Sequence, residues 1–135
     1  MSLERKNCGV KQLFFQIIKK YSDIVKDIRI EKFRQFGFCY QLRAAVFLCD
    51  DSELYVKDYL FQDSSRKYSY HWQTKEGKMI GRWDNAPHWP DTETFPHHFH
   101  NGSAGKTENS EIRNMEHVLM HIRMCLTGSS PCEQL

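Results

Sequence analysis

Apolar side chains recur at Val10, Leu13, Phe14, Ile17, Ile18 and Tyr21, with lysines and glutamines between them. That spacing of three and four marks one face of a helix, and it predicts an amphipathic helix over residues 10–23 lying on a sheet. From about Ile24 the period shortens. Ile28, Ile30 and Phe33 fit an extended strand with charges interleaved. Phe38 to Cys49 alternates, placing Phe38, Tyr40, Leu42, Ala44, Val46 and Leu48 on one side. Glu53 to Phe61 alternates again, although Asp58 interrupts its Leu54–Val56–Leu60 face. Lys67 to Gln73 sends Tyr68, Tyr70 and Trp72 one way and Ser69, His71 and Gln73 the other, and Met79 to Asp84 follows after a TKEGK turn. Links this short cannot carry a parallel crossover, so five strands in series predict an antiparallel meander. Residues 101–109, NGSAGKTEN, read as a flexible polar loop. A last helix is expected over about 110–126, with Ile112, Met115, Val118, Leu119, Ile122 and Leu126 as its stripe and Gly128 at the C-cap position. The expected fold is α+β: a five-stranded antiparallel meander sheet, an N-terminal and a C-terminal helix packed on it, and a His/Pro-rich loop. Residues 1–127 form one domain, and 128–135 are expected as a flexible tail.

Charge narrows the partners. The formal net charge of +2 lacks the density of a dedicated duplex binder, so any basic site must be local. Five cysteines, an odd number without a CxxC spacing, and a polar N-terminal stretch predict free thiols in a reducing cytoplasm. No apolar run approaches the roughly 20 residues of a membrane span.

The chemistry gathers in RWDNAPHWPDTETFPHHFH, residues 82–100, which holds four of the seven histidines and three of the four prolines. Prolines fix φ and bias their predecessors to extended conformations, so the loop gives up little entropy in holding its histidines. In an even hairpin register His71 faces Arg82 and Tyr70 faces Trp83, whereas a three-residue loop would shift the pairing by one. The even register puts His71, Arg82, Ser69, Gln73 and Asp84 on one polar face. His98 and His100, two apart in an extended segment, point together, with His97 opposite. One chemistry that fits is acid–base cleavage of a phosphodiester, with His71 and either His98 or His100 exchanging protons, Arg82 holding phosphate and Asp84 orienting an imidazole. Asn85, His88 and His97 are the expected substrate contacts. The other is a metal site, in which His98 and His100 join His88, Asp84 or Asp91 around zinc or iron. No cofactor is expected on the first reading; a His-bound divalent metal is the alternative. His117 and His121, four apart on the last helix, are expected to face solvent, and Lys11, Lys19, Lys20 and Lys26 to form a solvated face. The plainest alternative makes the histidine segment a stiff recognition surface without catalysis.

Residues 67–100 resemble the signature of the TumE-type toxins of prokaryotic toxin–antitoxin systems. The matching words are YSYHWQ, RWDNAPH and TFPHHxH, and IVKDIRIEKF and SELYVKDY extend the likeness over about residues 10–125. Trp89 stands where a second histidine often follows in that family, and Phe99 where a basic residue is common. The matching motif residues are His71, Arg82, Asp84, Asn85, His88, His97, His98 and His100. The resemblance implies a small toxin held inactive by a cognate antitoxin protein; that no membrane partner is expected follows instead from the lack of a spanning apolar run. It leaves a homodimer open. Many toxins of this size and build cleave RNA, which makes an endoribonuclease the expected activity by analogy.

Overall fold

The computed structural model describes residues 9–87 and 93–128. Helix α1 spans Gly9–Lys20, followed by β1 (Val25–Phe36), β2 (Cys39–Leu48), β3 (Glu53–Leu60), β4 (Arg66–Gln73), β5 (Met79–Asp84), β6 (His98–Asn101), β7 (Lys106–Asn109) and helix α2 (Met115–Leu126). The strands form one sheet in sequence order, each antiparallel to its neighbour. The α+β meander stands, but with seven strands instead of five. The two extra strands come from segments without an apolar alternation. In β6 only Phe99 is apolar, and β7 is KTEN. The expected flexible loop over 101–109 is instead the turn and second strand of this last hairpin. His88 and Asp91 of the His/Pro segment lie outside the described residues, as does the tail from residue 129; Glu93 to Pro96 form a turn.

Both helices contribute to one core. Phe14 of α1 and Met115, Val118, Leu119 and Ile122 of α2 join Leu42, Ala44, Val46, Leu48, Leu54, Val56, Tyr70 and Trp83 in one buried cluster. The helices therefore cover one face of the sheet and leave the other open. β1 shows how the register is kept. Ile28 and Ile30 share a side by period two, but Phe33 is three further on and would point outward. A bulge between Ile30 and Lys32 corrects the parity, so Phe33 meets Leu42 and packs on the core. Some expected core positions lie outside it: Leu13 is exposed, and Phe38 sits exposed in the β1–β2 turn. Asp58, the interruption in the β3 face, does point toward the helices. Arg66 of β4 donates to it through Nε and Nη2 at 2.9 and 3.0 Å. Helix α2 begins at Met115, later than expected, because Asn114 caps it by accepting from the His117 backbone N–H at 2.9 Å. Cys39 and Cys49 are free, while Cys125 is disulfide-bonded, which departs from the expectation of free thiols; an odd cysteine count carries no pairing information.

His117 faces solvent as expected, but His121 does not. Its ring is 5.3 Å from Trp83 and 6.5 Å from Trp72, edge-on to both. Burial pushes its pKa below the ordinary value. In the unfolded chain the imidazole titrates near 6.5. The unfolded state then binds more protons between that value and the lower folded one, so stability is complete above about pH 6.5 and declines as pH falls through this window. Urea midpoints measured from pH 7.5 to 5 are expected to fall more steeply for the native chain than for His121→Phe.

Candidate functional site

The pleat brings the polar residues of three strands to the open face. Across β4–β5, Ser69 faces Asp84 and His71 faces Arg82, as the even register predicts. Near the turn a bulge sets Gln73 opposite Met79, which confines the even register to the far part of the hairpin. The turn closes through Gly77, whose φ of 94° suits glycine. Across β5–β6, Asp84 faces His98 and Arg82 faces His100. On the helix side the same pairing stacks Phe99 on Trp83, ring centroids 4.9 Å apart. Gly81 makes room for this, since a Cβ there would lie 2.7 Å from the Phe99 ring. His71, Arg82, Asp84, His98 and His100 are thus brought together by register alone.

Asp84 is the hub and is buried, with 5% of its surface exposed. Oδ1 meets His98 Nε2 at 2.7 Å and accepts from the Ala86 N–H at 3.1 Å. Oδ2 accepts from Arg82 Nε at 3.0 Å and lies 3.4 Å from His100 Nε2. His98 is 2% exposed, and its Nδ1 lies 2.9 Å from the Pro96 carbonyl. A carbonyl only accepts, so Nδ1 is the donor in that contact, and it is Nε2 that faces Oδ1. His100 is more open. Its Nδ1 lies 3.2 Å from the Thr107 hydroxyl of β7. Arg82 also donates Nη1 to His71 Nδ1 at 3.3 Å, which makes that nitrogen an acceptor.

These neighbours set the proton affinities. Burial, then the Arg82 charge, holds the His71 pKa below its ordinary value of 6.5. Burial also lowers His100, but the Asp84 carboxylate pulls the other way. Both rings are lowered, for partly opposed reasons.

Two expected substrate contacts have other partners. Asn85 accepts from the Tyr68 N–H at 3.0 Å and donates to the Arg66 carbonyl at 2.7 Å, extending the β4–β5 pairing past the end of β5. His97 points to the opposite side from His98, where its Nδ1 and the Tyr68 hydroxyl are hydrogen-bonded at 2.7 Å and the rings stack. Burial pushes the Tyr68 hydroxyl up to about 12. As for a metal, one donor each from Asp84, His98 and His100 lie within 4.8 Å of one another, and these three could hold a divalent ion. Arg82 competes for Oδ2 in the same place. Sequence reasoning missed Pro96 and Thr107 as the groups that fix the two imidazoles.

A family model described as Toxin TumE matches residues 14–126, most of the chain and all of the site. The chain belongs to the TumE toxin family. No curated protein and no solved structure matches it. The TumE match ends at the last residue of α2, so the final tail lies outside it. Among the described residues of this TumE chain, no helix is long and apolar enough to cross a membrane.

Proposed function

We propose that this TumE toxin cleaves RNA on the open face of its sheet by metal-independent acid–base chemistry, and that a cognate antitoxin restrains it. The carrying observation is that Arg82 and His100 converge on the buried Asp84 carboxylate while the same Arg82 reaches His71. A phosphate held by Arg82 draws Nη1 away from His71 and frees its Nδ1 as a base. That base takes the proton from a ribose 2′-hydroxyl. The 2′-oxygen forms a bond to phosphorus, the bond to the 5′-oxygen breaks, and the leaving oxygen takes a proton from His100. The opposed neighbours favour this division: a guanidinium beside His71 suits a base, and a carboxylate behind His100 stabilises the imidazolium an acid requires. His98 was the other candidate for the second proton. Its burial fits a positioning role, holding Asp84 in place.

The pH dependence follows with a definite sign. The base works deprotonated and the acid protonated, and both pKa values lie below the ordinary 6.5. A plot of kcat/KM against pH is therefore expected to be bell-shaped with its optimum on the acid side of 6.5. It should shift when Arg82 is replaced. The founding test is incubation of purified, untagged protein with labelled RNA in the presence and absence of EDTA. Cleavage that survives the chelator supports the reading. Intact RNA, or cleavage abolished by EDTA and restored by a divalent ion, overturns it.

A further inference from the structure

The open face carries a line of cations that no packing requirement explains. Lys32 faces Arg43 across β1–β2, and Arg43 faces Lys57 across β2–β3. Like charges directly opposite one another destabilise a sheet. Among the described residues neither Arg43 nor Lys57 forms an ion pair. Burial and the charges of Lys67, Arg43 and Arg82 hold the Lys57 ammonium below its ordinary pKa. A groove of about 560 Å³ runs between these groups and the site, lined among others by Arg43, Tyr55, Lys57, Ser69, His71 and Arg82. One acidic residue, Glu31, also borders it, and its carboxylate is met by Arg29 at 2.9 Å. Aromatic rings are interleaved with the charges. Tyr55 faces His71 across β3–β4, and Lys57 lies 5.2 Å from the centre of the Tyr59 ring.

We propose that this groove is the track on which single-stranded RNA lies, with successive phosphates on Arg43 and Lys57 and a base against Tyr55, leading the scissile phosphate to Arg82. The proposal rests on the RNA-cleaving reading above and names the form of its substrate. A cationic groove with half-buried rings along it suits single strands, because a splayed base has a face to stack and a paired base does not. From β2 to β5 is three strand spacings, roughly 14 Å, so the track spans only a few nucleotides. The small net charge of the chain is no obstacle, since the cations are gathered in one place.

The test uses the full chain and a fluorescent 12-mer of 2′-O-methyl RNA, whose blocked hydroxyl cannot attack. Anisotropy titrations are run with the native chain, with Arg43→Glu/Lys57→Glu, and with Lys11→Glu/Lys19→Glu, which makes the same charge change on the helix-covered side. Circular dichroism confirms that each variant is folded. The groove variant is expected to bind at least about tenfold more weakly and to lose roughly 1.4 from the slope of log affinity against log salt, the share of two phosphate contacts. The helix-side variant should stay near the native affinity, and a duplex of the same sequence should bind more weakly than the single strand. Single-strand binding that is unchanged in the groove variant overturns the track while leaving RNA cleavage standing. If no oligonucleotide binds the native chain, the RNA reading itself fails. Loss of binding to the cognate antitoxin alone, with RNA affinity intact, would assign the groove to the protein partner and also overturn the proposal.

Discussion

Asp84→Ala is expected to remove cleavage and to lower the stability of the fold at the same time. The carboxylate is buried and bonds to four groups from three segments: His98, His100, Arg82 and the Ala86 N–H. His98 is buried deeper still. Removing the carboxylate strands its Nε2 in a place water does not reach. Removing one partner of a buried hydrogen bond costs roughly 1–3 kcal/mol, because the remaining group keeps its desolvation without its bond. The Arg82 contact adds little to that figure, since the guanidinium is 38% exposed and water can replace its partner. Urea unfolding measures the loss. The double variant Asp84→Ala/His98→Ala separates this account from a simple cavity. Taking out both partners should cost clearly less than the sum of the two single losses, the non-additivity of groups in contact. Asp84→Asn should fall between: its amide oxygen still accepts from Ala86, but its NH₂ meets the Arg82 donor. If Asp84→Ala unfolds at the native urea concentration, the hub described here is not holding β5 to β6.

The parts of this architecture that were legible in the sequence are those in which side-chain period and turn chemistry agree. Tyr68, Tyr70 and Trp72 alternate without interruption, so β4 and its inward face could be read directly, while the pairing of His71 with Arg82 was one of two registers the turn allowed and is the one observed. The grouping of His98 and His100 followed from their spacing alone. What stayed hidden lacked a hydrophobic signal. The chain around His98 is bound into the sheet by backbone hydrogen bonds to β5 and β7, and its polar side chains, HFHN, give no alternation to detect. For that reason the third strand of the site read as a loop, and Thr107, which lies on the strand beyond it, could not be placed at all. His121 was misread for a related reason. A helix stripe drawn from aliphatic residues passes through Leu119, Ile122 and Leu126 and leaves His121 out, but the two tryptophans and Phe99 widen the apolar surface and take in the imidazole between them. The basic groove was spread over three strands, and only the register aligned it.

Replacing Arg82 by methionine is expected to leave the fold nearly intact and reduce RNA cleavage by about 10²–10³-fold, the usual cost of losing a fixed positive group aimed at charge that develops in the transition state. The side chain is half-buried and its ion pair is partly solvated, so little stability depends on it. Its chemical position is another matter. Nε is committed to Asp84 and Nη1 reaches His71, so one planar group spans the carboxylate and the base, and its remaining donors can meet a phosphate. Lysine cannot reproduce that fork: a single ammonium can replace the charge, but it cannot bond Asp84 and address a phosphate in fixed directions. Arg82→Lys is therefore expected to recover only a minor part of the lost rate. The pH profile of the methionine variant provides a second readout that a merely structural role would not give. Without the guanidinium, His71 loses one of the two causes that lower its pKa, so the acid limb of the bell should move to higher pH. A variant with reduced kcat and an unmoved acid limb would show that Arg82 contacts phosphate without acting on His71. A variant with native kcat would remove Arg82 from the reaction and, with it, the assignment of this face as the active one.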